Sequence, residues 1–213
     1  MAESSRWPAA LCRPYAPERF EYRIWGAAFA GLPAPDAVAE SAEVYLVPER
    51  TGVNVKFRRG ALEIKQLLGT RDGLQRWLPA LRCPLPLPAG VIAEELCGAL
   101  GVSAPPLPRP RYALEEVLAE VVPALAGVQA APLRKRRCAF EVAGARAERT
   151  RVSVGAGTLE SVAVEAEGFD QAAQATDQLA LRRAPNLDYA AALRLILAGG
   201  RPGAGRAFPQ PWG

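Results

Sequence analysis

The stretch that decides the fold is VNVKFRRGALEIKQLL, residues 53–68, which predicts two short strands turned at Gly60. Because side chains alternate along a strand, each face of this hairpin collects every second residue. The apolar face holds Val53, Val55, Phe57, Leu62 and Ile64. The charged face holds Asn54, Lys56, Arg58, Glu63 and Lys65. Such a charged face is either in contact with water or the inner wall of a barrel built to hold an anion.

The other strand-like segments show the same division into an apolar and a charged face. These segments are 20–29, 41–47, 133–142, 147–154 and 159–167. Like charges on the charged faces stand two positions apart, so that they lie side by side. The pairs are Lys56 with Arg58, Lys135 with Arg137, and Glu165 with Glu167. Paired cations suit phosphate oxygens, and paired carboxylates suit a hard cation such as Mg²⁺ or Mn²⁺.

Helical and proline-rich segments separate the strands into groups. Helices are predicted over 91–100, 114–122, 169–181 and 187–197. We expect Asn186 or Asp188 to cap the last helix, which should pack on the outer wall of the barrel. Residues 71–79 predict a short helix or turn, and the prolines in 81–87 predict an extended segment at a sheet edge.

Length and composition indicate one sizeable core, because the chain has 213 residues and 50% of them are hydrophobic. We assign residues 19–198 to a single domain, residues 1–18 to a flexible N-terminal arm and residues 199–213 to a disordered tail. The N-terminal residues lack the pattern of a signal peptide, and no apolar run is long enough to predict a transmembrane helix.

The absence of histidine restricts the chemistry that this chain can perform. It excludes Ser-His-Asp and Cys-His catalysis and His-ligated metals, so acid–base chemistry must use carboxylates, Lys, Tyr, Cys or water. The four cysteines form no CxxC pair, which favours reduced, buried thiols in a cytoplasmic protein. The net charge of +4 suits a polyanion, but acids interleave with the bases, so specific nucleic-acid binding is not expected.

Over residues 20–197 the order of these elements resembles the CYTH superfamily, the triphosphate tunnel metalloenzymes. The matching positions are Glu21, Lys56-Phe57-Arg58, Lys65, Lys135-Arg136-Arg137, Glu148 and Glu165-Ala166-Glu167. The resemblance implies an α+β fold, an eight-stranded antiparallel closed β-barrel (tunnel) with helices packed outside. The superfamily includes inorganic, thiamine and RNA triphosphatases and class IV adenylyl cyclases. The implied ligand is therefore a triphosphate-containing small molecule or polyphosphate, with no membrane involved.

The resemblance also implies roles for ten residues inside the tunnel. Phosphate binding is expected of Lys56, Arg58, Lys65, Lys135, Arg137 and Arg23. Binding of Mg²⁺ or Mn²⁺ is expected of Glu165, Glu167, Glu21 and Glu148. In the superfamily, hydrolysis relies on such a metal to neutralise phosphate and to position water.

The first strand departs from the ExExK motif that is the hallmark of the superfamily, because residues 21–25 read EYRIW. Arg23 replaces the second carboxylate and Trp25 replaces the lysine. The change removes a metal ligand and adds a cation. We expect Arg23 to pair with Glu165 or Glu167 and to fill the metal position. A chain changed in this way can bind a phosphate compound without cleaving it.

Two classes of function follow from these patterns. In the first, a CYTH-like domain binds a triphosphate-type anion in its tunnel, as a metal-dependent phosphohydrolase or as a catalytically inactive binder. In the second, the barrel is a protein-interaction module whose partner contacts are Trp7, Trp25, Trp77 and Trp212. The RKRR run at 134–137 also fits a nucleic-acid patch, although half of its side chains would face the tunnel. Cyclisation of ATP would need a base pocket, which no motif identifies.

Overall fold

The structure is a computed structural model that describes residues 15–26, 29, 31–49 and 51–202. Most of the predicted arm and most of the predicted tail lie outside these ranges, as do Cys12, Trp7 and Trp212. The described part of the chain contains a closed β-barrel, a short two-stranded ribbon and four helices.

Eight antiparallel strands close the barrel, which confirms the predicted fold class. In chain order, the described strands of the barrel and of the ribbon together are β1 (Arg19–Gly26), β2 (Ala37–Pro48), β3 (Val53–Arg58), β4 (Ala61–Arg71), β5 (Leu74–Pro84), β6 (Leu87–Pro88), β7 (Arg111–Tyr112), β8 (Val128–Val142), β9 (Ala145–Val154) and β10 (Gly157–Ala166). Around the barrel the order is β1-β10-β9-β8-β2-β3-β4-β5, and β5 returns to β1. The ribbon pairs β6 with β7.

Helices cover the outside of the barrel on two sides. The first helix, α1, spans residues 91–100, with a π-helical part Val91–Leu96 followed by an α-helical part Cys97–Leu100. The second, α2, spans residues 114–124. Together they pack on the outer face of β2 to β5, including the apolar face of the opening hairpin. The third, α3 (Phe169–Gln178), packs on the outer face of β1, β9 and β10.

The opening hairpin has the register and the faces that the sequence predicts. Val55 and Phe57 are buried beneath α1 and α2, whereas Lys56 and Arg58 point into the barrel. The turn between β3 and β4 places Arg59 and Gly60 at φ values of 50° and 69°. A two-residue turn of this kind needs positive φ, which glycine adopts without strain.

A second hairpin replaces the short helix or turn predicted over 71–79. β4 and β5 are joined at Asp72 and Gly73, which both have positive φ, as the Asp-Gly pair favours. The edge position predicted for 81–87 is confirmed for the end of β5, because β1 pairs with β5 at Gln75, Arg76 and Trp77 and not with the residues of β5 that follow. Pro84 lies beyond that segment, and because the next residue, Leu85, donates its N–H group to Gly60 of the β3–β4 turn, the nitrogen of Pro84 points to the unpaired side, where its missing N–H group costs no ladder hydrogen bond.

The last helix, α4 (Tyr189–Leu197), does not pack on the outer wall as predicted. Its apolar side instead contacts residues on the inner faces of the strands and closes one end of the barrel. The contacts of Tyr189, Ala192 and Leu193 are with Trp25, Tyr45, Val47, Ala131, Leu133 and Val152. Asp188 caps the helix by accepting from the Ala191 N–H group at 3.0 Å, so one of the two predicted caps is confirmed.

The connector before α4 seals the seam between β1 and β5. Asn186 donates from Nδ2 to the carbonyl oxygens of Glu21 (2.8 Å) and Gly73 (2.9 Å), and its Oδ1 accepts from the Arg23 N–H group at 2.9 Å. Leu187 N–H then donates to the Arg23 carbonyl oxygen at 2.9 Å. Backbone groups of β1 that β5 leaves unpaired are thereby satisfied.

Three of the four cysteines lie within the described ranges. Cys83, Cys97 and Cys138 are buried free thiols, as the spacing of the cysteines predicts. Within the described ranges, no helix has the length and apolar character needed to span a membrane.

Because Asn186 donates hydrogen bonds to both sides of the seam between β1 and β5, we predict that Asn186→Asp lowers the free energy of unfolding by about 2–3 kcal/mol. An aspartate cannot donate to the carbonyls of Glu21 and Gly73, so two backbone acceptors at the seam lose their side-chain partner. Denaturant unfolding followed by tryptophan fluorescence measures the loss.

Asn54→Asp is the matched control for this substitution. Asn54 uses its Oδ1 to accept from the Ala190 N–H group at 3.0 Å, and an aspartate keeps that acceptor. We therefore expect a clearly smaller loss at position 54. Equal losses at both positions would show that the donated bonds of Asn186 do not hold the seam.

Candidate functional site

The candidate site is a cavity of about 350 Å³ inside the barrel. Charged side chains from the inner faces of the strands line it, together with Tyr45 and Tyr189. The cations are Arg23, Lys56, Arg58, Arg59, Lys65, Lys135, Arg137 and Arg146. The carboxylates are Glu21, Glu148 and Glu165. The lining thus brings together all six residues predicted to bind phosphate and three of the four predicted to bind metal, and cations outnumber carboxylates.

Glu167 is the predicted metal ligand that the structure places elsewhere. β10 ends at Ala166, so Glu167 lies beyond the last strand and most of its side chain is exposed. Its carboxylate is 3.7 Å from the guanidinium of Arg19. The spacing of two that pairs it with Glu165 in the sequence therefore does not place both side chains in the cavity.

Glu43 on β2 is the centre of the buried charge network. Its side chain is fully buried and lies 3.0 Å from Lys135 Nζ and 3.8 Å from Lys56 Nζ. Arg137 donates to the same carboxylate. Ser41 Oγ completes the cluster, because it donates to Glu43 at 3.0 Å and accepts from Arg137 at 2.7 Å. One carboxylate thus holds three of the cations that face the cavity.

Glu63 on β4 forms a second, smaller cluster. Arg58 donates to both of its oxygens, at 2.8 Å and 3.0 Å. Lys56 Nζ lies 3.6 Å away, and the Tyr15 hydroxyl donates at 3.4 Å. Lys56 therefore stands between Glu43 and Glu63. It is farther from each of them than Lys135 is from Glu43 or Arg58 is from Glu63.

Arg23 lies between two carboxylates, although not the two that the sequence predicts. Its Nε donates to Glu21 at 2.9 Å and its NH2 donates to Glu148 at 3.2 Å. Its NH1 donates to Ser161 Oγ at 3.0 Å, and the guanidinium carbon lies 4.5 Å from the centre of the Tyr189 ring. The expected pairing with Glu165 or Glu167 is wrong, because the register places Glu165 nearer the mouth, opposite Arg146.

Two tyrosines form the closed end of the cavity. The rings of Tyr45 and Tyr189 stack with centres 5.4 Å apart. Lys135 Nζ lies 3.4 Å from the centre of the Tyr189 ring and donates to the Tyr45 hydroxyl at 3.0 Å. The ring faces stabilise this buried ammonium group, in addition to Glu43.

Comparison with solved structures identifies the architecture. No family model and no curated protein sequence matches the chain. The structure is similar to that of the Hippeastrum protein HpAC1, described as having a dominant triphosphatase activity, with a TM-score of 0.50 and 10% sequence identity over 89% of this chain and 100% of that one. The chain has a CYTH-type tunnel fold. At this identity the similarity concerns the fold alone.

Two further solved structures resemble the tunnel less closely. A Bacillus halodurans protein gives a TM-score of 0.45 with 7% identity, over 82% of this chain and 97% of that one. A Pyrococcus horikoshii protein gives a TM-score of 0.38 with 18% identity, over 77% of this chain and 88% of that one.

The carboxylates of this tunnel do not fit a divalent metal. Glu21 and Glu148 hold the guanidinium of Arg23 between them. Glu165 pairs with Arg146 at 3.3 Å and with Arg19 at 3.6 Å. Nowhere in the described part of the chain do three carboxylate or cysteine side chains converge as metal ligands. A Mg²⁺ or Mn²⁺ ion needs several oxygen ligands, and here each of the three carboxylates is already paired with an arginine.

Burial and neighbouring charges shift the pKa values in the tunnel. Burial lowers the pKa of Lys56 to about 8, and repulsion from Arg58 acts in the same direction. Burial also holds the pKa of Lys135 well below its ordinary value, although Glu43 opposes the change. Burial raises the pKa of Glu148, but Arg23 and Arg137 outweigh it and bring that pKa to about 2. The Glu148 carboxylate is thus charged at neutral pH, whereas Lys56 titrates close to it.

Sequence reasoning missed several residues of the site, among them Glu43, Glu63 and Tyr189. Glu43 and Glu63 stand on charged strand faces, but no pattern marked them as counter-charges for the cations. Tyr189 was missed because the wide apolar face of α4 predicts packing on an outer wall. The available signal was Tyr189 itself, a polar aromatic residue directly after the cap at Asp188.

The central role of Glu43 predicts that Glu43→Gln lowers the free energy of unfolding by about 3–5 kcal/mol. The substitution keeps the shape of the side chain but leaves the buried cations Lys56, Lys135 and Arg137 without their shared counter-charge. Added tripolyphosphate should restore part of the loss, because it supplies negative charge at the same place. Denaturant unfolding with and without the anion measures both effects.

Glu40→Gln on the same strand is the control for this experiment. The Glu40 side chain is 78% exposed on the outer face, and its carboxylate lies 4.0 Å from Nε of Arg136, which makes this a weak ion pair. Exposed pairs of this kind contribute about 0–1 kcal/mol, so little change is expected. A similar, small effect at both positions would contradict the importance assigned to Glu43.

Proposed function

We propose that this protein binds a triphosphate-type anion inside the tunnel, either polyphosphate or the triphosphate group of a small molecule. The observation that supports the proposal is the excess of cations over carboxylates on the wall of a closed, partly buried cavity. Because the side chains of Lys56, Lys135 and Arg137 are largely buried, their charges act on a ligand more strongly than surface charges do. A short chain of phosphates carries several negative charges along one line, which suits a wall of cations on different strands.

Five cations are proposed to contact the phosphates. Lys65 is the most available of them, because no described carboxylate lies within ion-pair distance of it. Lys56 is held only at 3.6 Å and 3.8 Å from its carboxylates and can turn to a ligand. Arg58 and Arg137 keep N–H groups that their carboxylates do not use. Lys135 lies deepest, against the two tyrosines, and would meet the innermost phosphate.

Hydrolysis of a triphosphate with Mg²⁺ or Mn²⁺ is the second candidate. It is supported by the triphosphatase activity described for the Hippeastrum protein of the same fold. Glu21, Glu148 and Glu165 would have to exchange their arginine partners for metal, and Glu167 would have to move into the tunnel. Because these carboxylates are engaged by arginines, we favour binding over hydrolysis.

The test of the proposal compares two arginines that are neighbours on β8 but face opposite sides of the barrel wall. Arg137 points into the tunnel, whereas Arg136 lies on the outer face, half-exposed. We expect Arg137→Met to weaken tripolyphosphate binding about 10- to 100-fold, the loss typical of one charge-assisted contact, and Arg136→Met to have little effect. Isothermal titration calorimetry measures both, and phosphate release in the presence of Mg²⁺ or Mn²⁺ reports hydrolysis.

Four results distinguish the candidates. Binding without phosphate release supports the proposed function, and release would establish the second candidate. Equal losses in both variants would place the anion on the outer surface and contradict the proposal. Absence of any effect of tripolyphosphate, ATP or thiamine triphosphate on calorimetry or thermal stability would favour a protein-interaction module instead.

The lowered pKa of Lys56 predicts that affinity for tripolyphosphate falls as the pH rises through about 8. Below that pH the ammonium group is charged and attracts the anion. Above it the empty tunnel loses the charge, and binding must take up a proton, at a cost of up to about tenfold in affinity per pH unit. Calorimetry at pH 7, 8 and 9 measures the slope.

Lys56→Arg separates this effect from ionisation of the ligand. Arginine stays charged throughout the range, so the variant should show a flatter dependence on pH with the same ligand. Identical pH profiles for the variant and the wild type would mean that Lys56 does not contact the anion.

A further inference from the structure

The guanidinium of Arg23 stands in a position where carboxylates from two strands converge. Glu21 on β1 and Glu148 on β9 each accept one of its N–H groups, at 2.9 Å and 3.2 Å. The side chain of Arg23 is buried, and Ser161 and the ring of Tyr189 hold it from two further directions. Its position is therefore defined by four neighbours on four different elements.

A divalent cation cannot use Glu21 and Glu148 while Arg23 remains between them. Displacing the guanidinium would leave a permanent positive charge buried without a counter-charge, beside an incoming ion of the same sign. The surrounding wall is already rich in cations, which adds to the repulsion. The third carboxylate of the lining, Glu165, is likewise engaged, by Arg146 and Arg19.

We propose that Arg23 is a built-in cation that takes the place of a bound metal, so that the tunnel binds polyphosphate free of divalent cations. This inference rests on the proposed function. Because Mg²⁺ coordinates phosphate oxygens, it competes with the tunnel for the ligand and reduces the charge that the cationic wall recognises. Divalent metal is thus an inhibitor of binding here and not a cofactor for it.

A direct consequence concerns the protein without any phosphate ligand. The wild type should not bind Mn²⁺ in the tunnel. In Arg23→Met the carboxylates of Glu21 and Glu148 lose the cation between them and become a pair of buried oxygen donors. We expect this variant to bind Mn²⁺, seen as loss of the electron paramagnetic resonance signal of the free ion, and to gain thermal stability from it.

Arg146→Met is the matched control for the variant. Arg146 lies 3.9 Å from Glu148 and 3.3 Å from Glu165, so its removal also takes a cation away from these carboxylates. It leaves Arg23 in place, however, and we expect no Mn²⁺ binding. Binding of Mn²⁺ to the wild type at the same level as to Arg23→Met would overturn the inference.

The closing experiment uses the wild-type protein, so it does not depend on the folding of a variant. Calorimetry with tripolyphosphate is carried out once with a chelator and once with excess Mg²⁺. The inference predicts binding with the chelator and several-fold weaker binding with Mg²⁺. Binding that requires Mg²⁺ would overturn the inference and leave the proposed function standing. No binding under either condition would overturn the proposed function itself.

Discussion

The structure depends on compensation of charge inside a closed barrel. A wall of lysines and arginines facing one another would repel itself, and the buried carboxylate of Glu43 prevents this by holding Lys56, Lys135 and Arg137 together. Elsewhere in the tunnel, Glu63 compensates the charge of Arg58, and Glu21 and Glu148 compensate the charge of Arg23. The compensation is incomplete, because cations outnumber carboxylates in the lining of the cavity. That excess is the property on which the proposed binding of an anion rests.

Closure of one end gives the charged cavity its depth. α4 lies across the inner faces of the strands, and Tyr189 meets both Lys135 and Arg23 with its ring. Asn186 joins the same connector to the seam of the barrel. The element that seals the barrel therefore also forms the floor of the candidate site, so that fold stability and the proposed ligand recognition depend on the same contacts.

Much of the tunnel could be predicted from the sequence, because period-two alternation states which side chains share a wall. The alternation predicts that Lys56 and Lys135 lie on the charged faces of their strands, opposite the apolar faces that are buried. That the charged faces line the inside of a barrel was implied by the resemblance to the CYTH superfamily. Pairing across the barrel does not follow from the alternation: the partner of Arg23 depends on register between β1, β9 and β10, which a local pattern cannot specify. The place of α4 was equally hidden, because an apolar helix face fits an outer wall as well as the end of a barrel.

A crystal structure of the protein with tripolyphosphate, grown in the presence of a chelator, tests the central claim most directly. We predict phosphate density inside the tunnel, in contact with Lys56, Lys65 and Arg137, with Arg23 still between its two carboxylates. An empty tunnel with phosphate only on the outer arginines would contradict the proposed site. A metal ion between Glu21 and Glu148 would contradict the role assigned to Arg23.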